Sequence, residues 1–424
     1  MSQVNLDVGL MDYFQDSKDE IHYGEVRLQP LAYQDDIMRG CEDVLGTQIG
    51  NTKLAAMLEE KGLEAHPDKT CFIVCGNKKY KESIESNIKK SPLMFGEFAV
   101  QHREYDRYLG QILHGGGLDR SAEMTVTERV GRLKGATREV KAIIEDFQMQ
   151  AIGGMMAAWE LWEKAMVPSL LSGAGTWFGL KKNEKAIDMC DDIQNYFWRV
   201  ILCVPESCPK IALRCKTGML GMKWRIWEAK MLLLKRITMQ NTGCLARQVY
   251  EESVEKEWPG LGQEVRGICS EVGISDINNT EVTKEEIKDA IKNHHYKDMK
   301  AELDKSKKLS DIKHEDFSKV QTYFSGKSVE NTRMAFRVRS HLVPKISCNF
   351  KNKYKNSENG LTCSYCKENV DMSQSHCLQC EAWVDLRSDL DLTNIEDMVA
   401  FFRRMLKEMA NIEEGKKHCT TPYD

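Results

Sequence analysis

Leu31–Arg39 reads LAYQDDIMR, and the way its centre, Tyr33-Gln34-Asp35-Asp36, is read decides how the N-terminal part of the chain folds. Two adjacent carboxylates lie between short apolar runs, a pattern that fits a strand, a tight turn and a second strand, with acid presented at the tip to a magnesium ion. It fits an ordinary polar turn equally well, because Asp-Asp pairs are common and a short motif is only a hypothesis. Pro30 is awkward inside a central strand and acceptable at its first residue.

Around this stretch, up to about His114, short apolar runs such as CFIVCG (Cys71–Gly76) and GEFAV (Gly96–Val100) alternate with turn and charge clusters, which suits an α+β region. Between them TKLAAMLEEKGLEAHPDKT predicts a helix ending near Gly62, with His66-Pro67-Asp68 as the turn into a strand. The glycine run HGGGLD (His114–Asp119) marks the end of this region. Beyond it, from about Ser121 to Val249, the pattern is helical. TVTERVGRLKGATREVKAIIEDF carries Val130, Leu133, Val140, Ile143 and Ile144 at helical spacing, with Thr127 and Glu128 fitting its opening. KWRIWEAKMLLLKRI (Lys223–Ile237) is a second strong helix whose Trp, Met and Leu stripe reads as core. Thr283-Lys284-Glu285-Glu286 fits a capping box opening a Lys/Glu-rich helix to about Lys305, and a C-terminal helix begins near Asn394.

The bulk properties narrow the class. A chain of 424 residues with 42% hydrophobic and 29% charged residues builds two or three cored domains, not a disordered polymer. The net charge of -4 carries no global basic signal, so nucleic-acid contact has to come from local patches. The start, MSQVNLDVGLMDYFQDSKDE, is acidic and lacks a secretory leader, so the fifteen cysteines are expected as free or metal-bound thiols in an intracellular compartment, nuclear or cytoplasmic. The most apolar region, Ala151–Leu180, is broken by Glu160, Glu163 and Lys164, which predicts a buried helix and no membrane span.

The strongest local chemistry is CSYCKENVDMSQSHCLQC, Cys363–Cys380. Cys363, Cys366, His376 and Cys380 make C-x2-C-x9-H-x3-C, two close pairs of soft or borderline ligands that suit tetrahedral zinc. Cys377 forms a second C-x2-C with Cys380, so a four-cysteine site is the alternative. Four ligands leave no open position, which argues for a structural metal over a catalytic one. Just upstream, Asn331–Ser357 holds Arg333, Arg337, Arg339, Lys345, Lys351, Lys353 and Lys355, no acid, and interleaved Phe336, Phe350 and Tyr354. That composition suits phosphate contact and base stacking, with a solvated basic helix as the plain alternative.

Taken in order, these pieces resemble the C-terminal part of a reverse transcriptase from a non-LTR (LINE-type) retrotransposon. PLAYQDDIMR is similar to the family's palm hairpin, KGLEAHPDKTCFIVCG to the helix, turn and strand that follow it, and REYDRYLGQIL to the primer-grip strand. WELWEKAMVPSLLSGAGTWFGL and LRCKTGMLGMKWRIWEAKMLLLKRI resemble thumb and post-thumb segments, and SQSHCLQCEAWVDLR the histidine–cysteine end of the C-terminal knuckle, which favours His376 over Cys377. The resemblance implies nucleotidyl transfer onto a primer hydroxyl by two magnesium ions, with Asp35 and Asp36 as ligands and Lys69 protonating the leaving pyrophosphate. It implies Tyr108 and Gly110 as contacts to an RNA template and DNA primer, to which the composition of the basic segment adds Arg333, Arg337, Arg339, Lys351 and Lys353.

The resemblance also implies an earlier palm aspartate and a nucleotide-selecting glycine segment. The 32 residues before Tyr33 are too few for both, and they offer only Asp7, Asp12, Asp16 and Asp19 in an acidic stretch. The expectation is therefore a truncated, reverse-transcriptase-derived protein inactive by itself. The alternatives are a non-catalytic zinc-containing nucleic-acid-binding protein and a relic without function. The expected fold is α+β and mostly helical: a partial palm of short antiparallel strands with a helix over 1–117, a helical thumb and post-thumb over 118–260, a helical connector over 261–345, the basic segment and zinc knuckle over 346–390, and a C-terminal helix over 391–424.

Overall fold

The computed structural model describes residues 21–28, 30–33, 36–146, 153–177, 184–278, 281–305, 309, 317, 319–325, 327–343, 363, 365–368 and 373–418. The chain is mostly helical with a few short strands, and it divides into two compact units. One comprises Met1–Gly131, Ser169–Asp191 and Met222–Lys292; the other comprises Arg132–Pro168, Asp192–Gly221 and Asn293–Asp424. No helix among the described residues is long and apolar enough to cross a membrane.

In the first unit the strands come as two-stranded pairs. β1 (His22–Tyr23) pairs with β2 (Val26–Arg27), and β3 (Leu31–Tyr33) with β4 (Asp36–Met38). β6 (Met94–Phe95) pairs with β7 (Phe98–Ala99), and β9 (Tyr105–Tyr108) with β10 (Gln111–His114), all antiparallel. β5 (Cys71–Phe72) and β8 (Gln101–His102) pair in parallel, against the expectation of antiparallel strands alone. The CFIVCG and GEFAV strands are also shorter than their apolar runs, two residues each. The helix Val44–Glu60 opens on Asp43, whose side chain accepts from the Gly46 amide at 2.7 Å, and closes at Lys61 before left-handed Gly62. Its Leu54 and Leu58 pack with Leu93, Phe95 and Val100, and Ile37 and Phe72 lean on this cluster.

The rest of that unit gathers around the helix Met222–Thr238. Trp224, Ile226, Trp227, Met231 and Leu234 are buried, as their stripe predicts. A 3-10 turn, Ala174–Thr176, presses on this helix so closely that a Cβ at Gly175 would stand 3.0 Å from the Ala229 carbonyl oxygen, which explains glycine there. The helix Leu118–Glu145 begins earlier than its Thr127-Glu128 pair suggests. Ser121 Oγ donates to the Gly117 carbonyl at 3.0 Å and accepts the His114 amide at 2.9 Å, so the first turn is fixed ahead of the apolar periodicity.

The second unit has an aromatic core. The ring centroids of Trp162 and Phe197 lie 4.7 Å apart, those of Phe197 and Trp198 5.1 Å in edge contact, and those of Trp198 and Phe324 6.0 Å. Such pairs contribute about 0.5–1.5 kcal/mol each beyond their burial. The apolar stretch around Trp162 is helical, as its sequence predicts, but buries only one face, Met155, Ala158, Trp162, Met166, Val167 and Leu170, while Leu161 is exposed: Gly154–Leu161 passes through a π turn, Trp162–Met166, into Val167–Leu171. Pro168 has no amide hydrogen to donate, which suits a local widening of the helical ladder beside it. Met299, Leu303, Leu309 and Phe317 pack with Ile211, Ala212 and Cys215. The capping box forms within the first unit: the Thr283 amide donates to Glu286 Oε2 at 2.7 Å and the Glu286 amide to Thr283 Oγ1 at 3.1 Å, opening the helix Lys284–Asp304, whose residues from Asn293 on belong to the second. Ile287, Ile291, Met299 and Leu303 form its buried stripe, and most of its charged residues face solvent. The final helix, Ile395–His418, buries Val399, Phe401, Phe402, Met405 and Met409.

Candidate metal centre

Cys363, Cys366, His376 and Cys380 come together with their ligand atoms all within 4.8 Å of one another, a group that can hold a metal ion. Local chain geometry accounts for the convergence. The Cys363 amide donates to the Glu368 carbonyl at 2.8 Å and the Lys367 amide returns to the Cys363 carbonyl at 3.0 Å, folding the first pair into a tight knuckle. Lys367 takes φ 67° to close it, a left-handed conformation that is uncommon for a residue with a Cβ. The second pair stands at a short helix, Gln374–Gln379, whose cap Ser373 accepts the His376 amide at 3.1 Å. His376 lies within this helix and Cys380 at its C-terminal cap, and the ligand atoms of both join those of the first pair. Cys377 is fully buried and outside the group of four, so the geometry favours the histidine.

The electrostatics are those of a thiol cluster. Burial opposes ionisation of Cys363, but the backbone amides of Cys366 and Tyr365, with His376 and Cys366, outweigh it and hold the thiol at about 7. Burial pushes Cys380 up to about 12, with Cys366 adding to the effect, and Cys377 likewise to about 12. His376 Nε2 lies 3.5 Å from Cys366 Sγ, and its Nδ1 faces Glu368 Oε2 at 4.0 Å. Sequence reasoning missed the supports of the knuckle. Arg387 donates to the carbonyls of Cys380 at 2.7 Å and Gln379 at 3.1 Å, closing the helix end, and the Tyr365 and Trp383 rings meet at 4.7 Å. The only signal for the first is an arginine following the last cysteine at close range.

The other predicted residues fall into two sets. β3 and β4 pair as a hairpin with Tyr33 opposite Asp36, and Gln34 and Asp35 lie outside the described residues. Asp36 is exposed at the start of β4. The β9–β10 hairpin turns at Leu109 and Gly110, with φ 47° and 75°, and Tyr108 Oη donates to the Leu31 carbonyl at 3.3 Å. The two hairpins therefore meet, and burial together with the Asp36 charge raises the Tyr108 phenol above its ordinary value. Lys69 is exposed in the turn ahead of β5, its amide bonded to the His66 carbonyl.

In the basic segment, Arg333 donates to the Ile201 carbonyl and pairs with Glu145, both at 2.8 Å. Arg337 donates to the Cys203 carbonyl at 2.7 Å, with burial lowering its guanidinium below its usual value. Phe336 is fully buried and offers no open face to a base. Arg339 is half-buried, and Lys345, Lys351, Lys353, Lys355, Phe350 and Tyr354 lie outside the described residues, as do Asp7, Asp12, Asp16 and Asp19.

Comparison of the chain with family models, with curated proteins and with solved structures returns no match.

Proposed function

We propose that this chain is a reverse-transcriptase-derived protein that, as these 424 residues, holds nucleic acid without copying it, and that its Cys3His group binds a structural zinc ion. The observation that carries the reading is the Cys363, Cys366, His376, Cys380 group. It stands downstream of the hairpin and thumb-like segments, in the order that the resemblance implies. Three thiols and an imidazole favour zinc over magnesium or calcium, which select oxygen ligands. The contact between Tyr108 and the Leu31–Met38 hairpin adds support, since a primer-grip strand would lie beside the palm hairpin.

Two magnesium ions at Asp35 and Asp36 would need a further carboxylate, and among the described residues Asp36 belongs to no group of three or more acids, histidines or cysteines. No catalytic step is assigned to them. With Arg333 and Arg337 committed to carbonyls, phosphate contact falls to Arg339, Lys351 and Lys353. The test is binding of single-stranded RNA by the zinc-loaded chain as a function of salt. The Lys351→Ala, Lys353→Ala double variant is expected to reduce the log–log salt slope by about 1.4, roughly 0.7 per lost contact. An unchanged slope would remove the nucleic-acid reading. Primer extension on an RNA template that Asp35→Ala abolishes would remove the non-catalytic one.

A further inference from the structure

The first unit contains an open groove of about 1740 Å³, every lining residue of which belongs to that unit. Its walls are the helices Glu184–Leu202, Met222–Thr238, Leu245–Glu255 and Leu261–Val272. Ile187, Leu233, Ile237, Val249 and Leu261 supply an apolar surface, each only partly covered by the rest of the chain. Around them stand Asp119, Glu184, Asp188, Asp191, Glu264 and Glu271, against which the lining sets only Lys223 and Arg236. Lys223 already sits over the rings of Trp224 and Trp227 and faces Glu271 at 3.5 Å. Glu264 is matched by the buried Lys230, and Asp191 accepts the Met222 amide at 2.9 Å. Asp119, Glu184 and Asp188 are left to set the sign of the rim.

We infer that this groove is a docking site for a basic amphipathic helix of a partner protein, its apolar face on the groove floor and its Lys or Arg residues against the Glu184–Asp188 rim. Size and charge select this occupant. Small-molecule sites run to roughly 300–1,000 Å³, well below this volume. A helix about 10 Å across that rises 1.5 Å per residue occupies roughly 120 Å³ per residue, so the groove takes on the order of four turns. A carboxylate rim repels a phosphate backbone, which separates this surface from the nucleic-acid contacts proposed above. An apolar floor edged with acid is the complement of a helix with apolar anchors three and four residues apart and cations flanking them.

The probe is a fluorescein-labelled sixteen-residue Leu/Lys peptide patterned as an amphipathic helix, titrated into the zinc-loaded full chain by anisotropy. Its Leu/Glu counterpart and a scrambled Leu/Lys peptide serve as controls. The Leu/Lys helix is expected to bind at least tenfold more tightly than either control. The double variant Glu184→Lys, Asp188→Lys, both positions being exposed, is expected to weaken it at least tenfold with an unchanged melting temperature. A second variant, Leu233→Ser, is expected to weaken it without altering its salt dependence. Equal binding of the scrambled peptide, or indifference to the charge reversal, would overturn the proposal. So would a monomer–dimer equilibrium, read by sedimentation, that the charge reversal shifts, because the groove would then be filled by a second copy of this chain.

Discussion

The Cys363–Cys380 knuckle and the Leu31–Met38 hairpin are both short motifs with metal-ligand residues, and they end in opposite conditions. The knuckle closes on itself: four ligand atoms from one short segment converge within 4.8 Å, set by two tight turns and one helix cap. The hairpin reaches its local geometry, with Tyr33 opposite Asp36, yet Asp36 stays exposed. Thiols and an imidazole spaced along one segment can be gathered as candidate ligands by local chain geometry. A two-ion carboxylate site depends on strands that no local sequence can supply.

The largest expected effect breaks the comparison at the knuckle. One zinc per chain is expected, measured by atomic absorption, and His376→Ala should cost at least 100-fold in affinity while Cys377→Ala leaves stoichiometry intact. Removal of zinc by a chelator should lower the thermal transition, because binding energy at a structural site is folding energy, about 10–16 kcal/mol in zinc-finger peptides. The pH dependence follows from the thiols. Ligands must be deprotonated, so affinity rises with pH. Cys380, at about 12, releases its proton to solvent when the metal binds throughout the neutral range. Cys363, at about 7, adds a further proton only below that value, so the plot of log affinity against pH should steepen below about pH 7. Competition with a chelator of known affinity reads both slopes, and a slope constant through pH 7 would contradict the arrangement.

The hairpin's own unit has a different buried charge centre. Lys230 is fully buried and pairs with Glu264 at 2.7 Å, its Nζ also bonded to the Trp177 carbonyl. Burial lowers its ammonium below the usual lysine value, and Glu264 opposes that shift. Breaking a buried pair from one side strands the other charge, so Glu264→Ala is expected to destabilise by about 3 kcal/mol. Lys230→Met should cost about 1 kcal/mol or less, because Glu264 lies near the surface and can hydrate. The depressed lysine also fixes a sign. Above its lowered value and below the ordinary one, the unfolded chain binds the proton that the folded chain does not, so this group makes stability rise with pH there. Urea titrations of both variants check the ranking.

The parts of the molecule that were legible in its sequence are those decided within a few residues. The Thr283–Glu286 capping box, the end of the first long helix at Gly62, the buried stripe of Met222–Thr238 and the Cys/His knuckle depend on spacing alone. The larger misses are tertiary. The parallel pairing of β5 with β8 joins segments thirty residues apart and leaves no local trace. Arg333 and Arg337 looked like free phosphate ligands. Yet the carbonyls of Ile201 and Cys203, which claim them, lie more than a hundred residues upstream. The acid-rimmed groove was equally invisible, since its residues come from helices separated along the whole unit.

A smaller effect sharpens the knuckle's side. Ser373 accepts the His376 amide at 3.1 Å, so Ser373→Ala should cost about 1 kcal/mol through loss of the helix cap. Because that cap also holds the His376 backbone, zinc affinity should fall several-fold in the same variant. A stability loss with unchanged affinity would mean that the ligand is oriented by its other contacts, Glu368 and Cys366.

The smallest effect belongs to Asp36. It is exposed, stands opposite Tyr33 in a hairpin and is not part of a ligand cluster among the described residues, so Asp36→Ala should change unfolding stability by no more than about 0.5 kcal/mol. One reporter should still move. The Asp36 charge contributes to raising the Tyr108 phenol, after burial, so the substitution should bring that phenol down toward its ordinary value. Ultraviolet difference titration, with Tyr108→Phe to assign the signal, reads the shift. A Tyr108 titration indifferent to Asp36 would mean that the two hairpins do not meet in solution as the Tyr108–Leu31 hydrogen bond has them, and the contact that links primer-grip and palm-like segments would be lost with it.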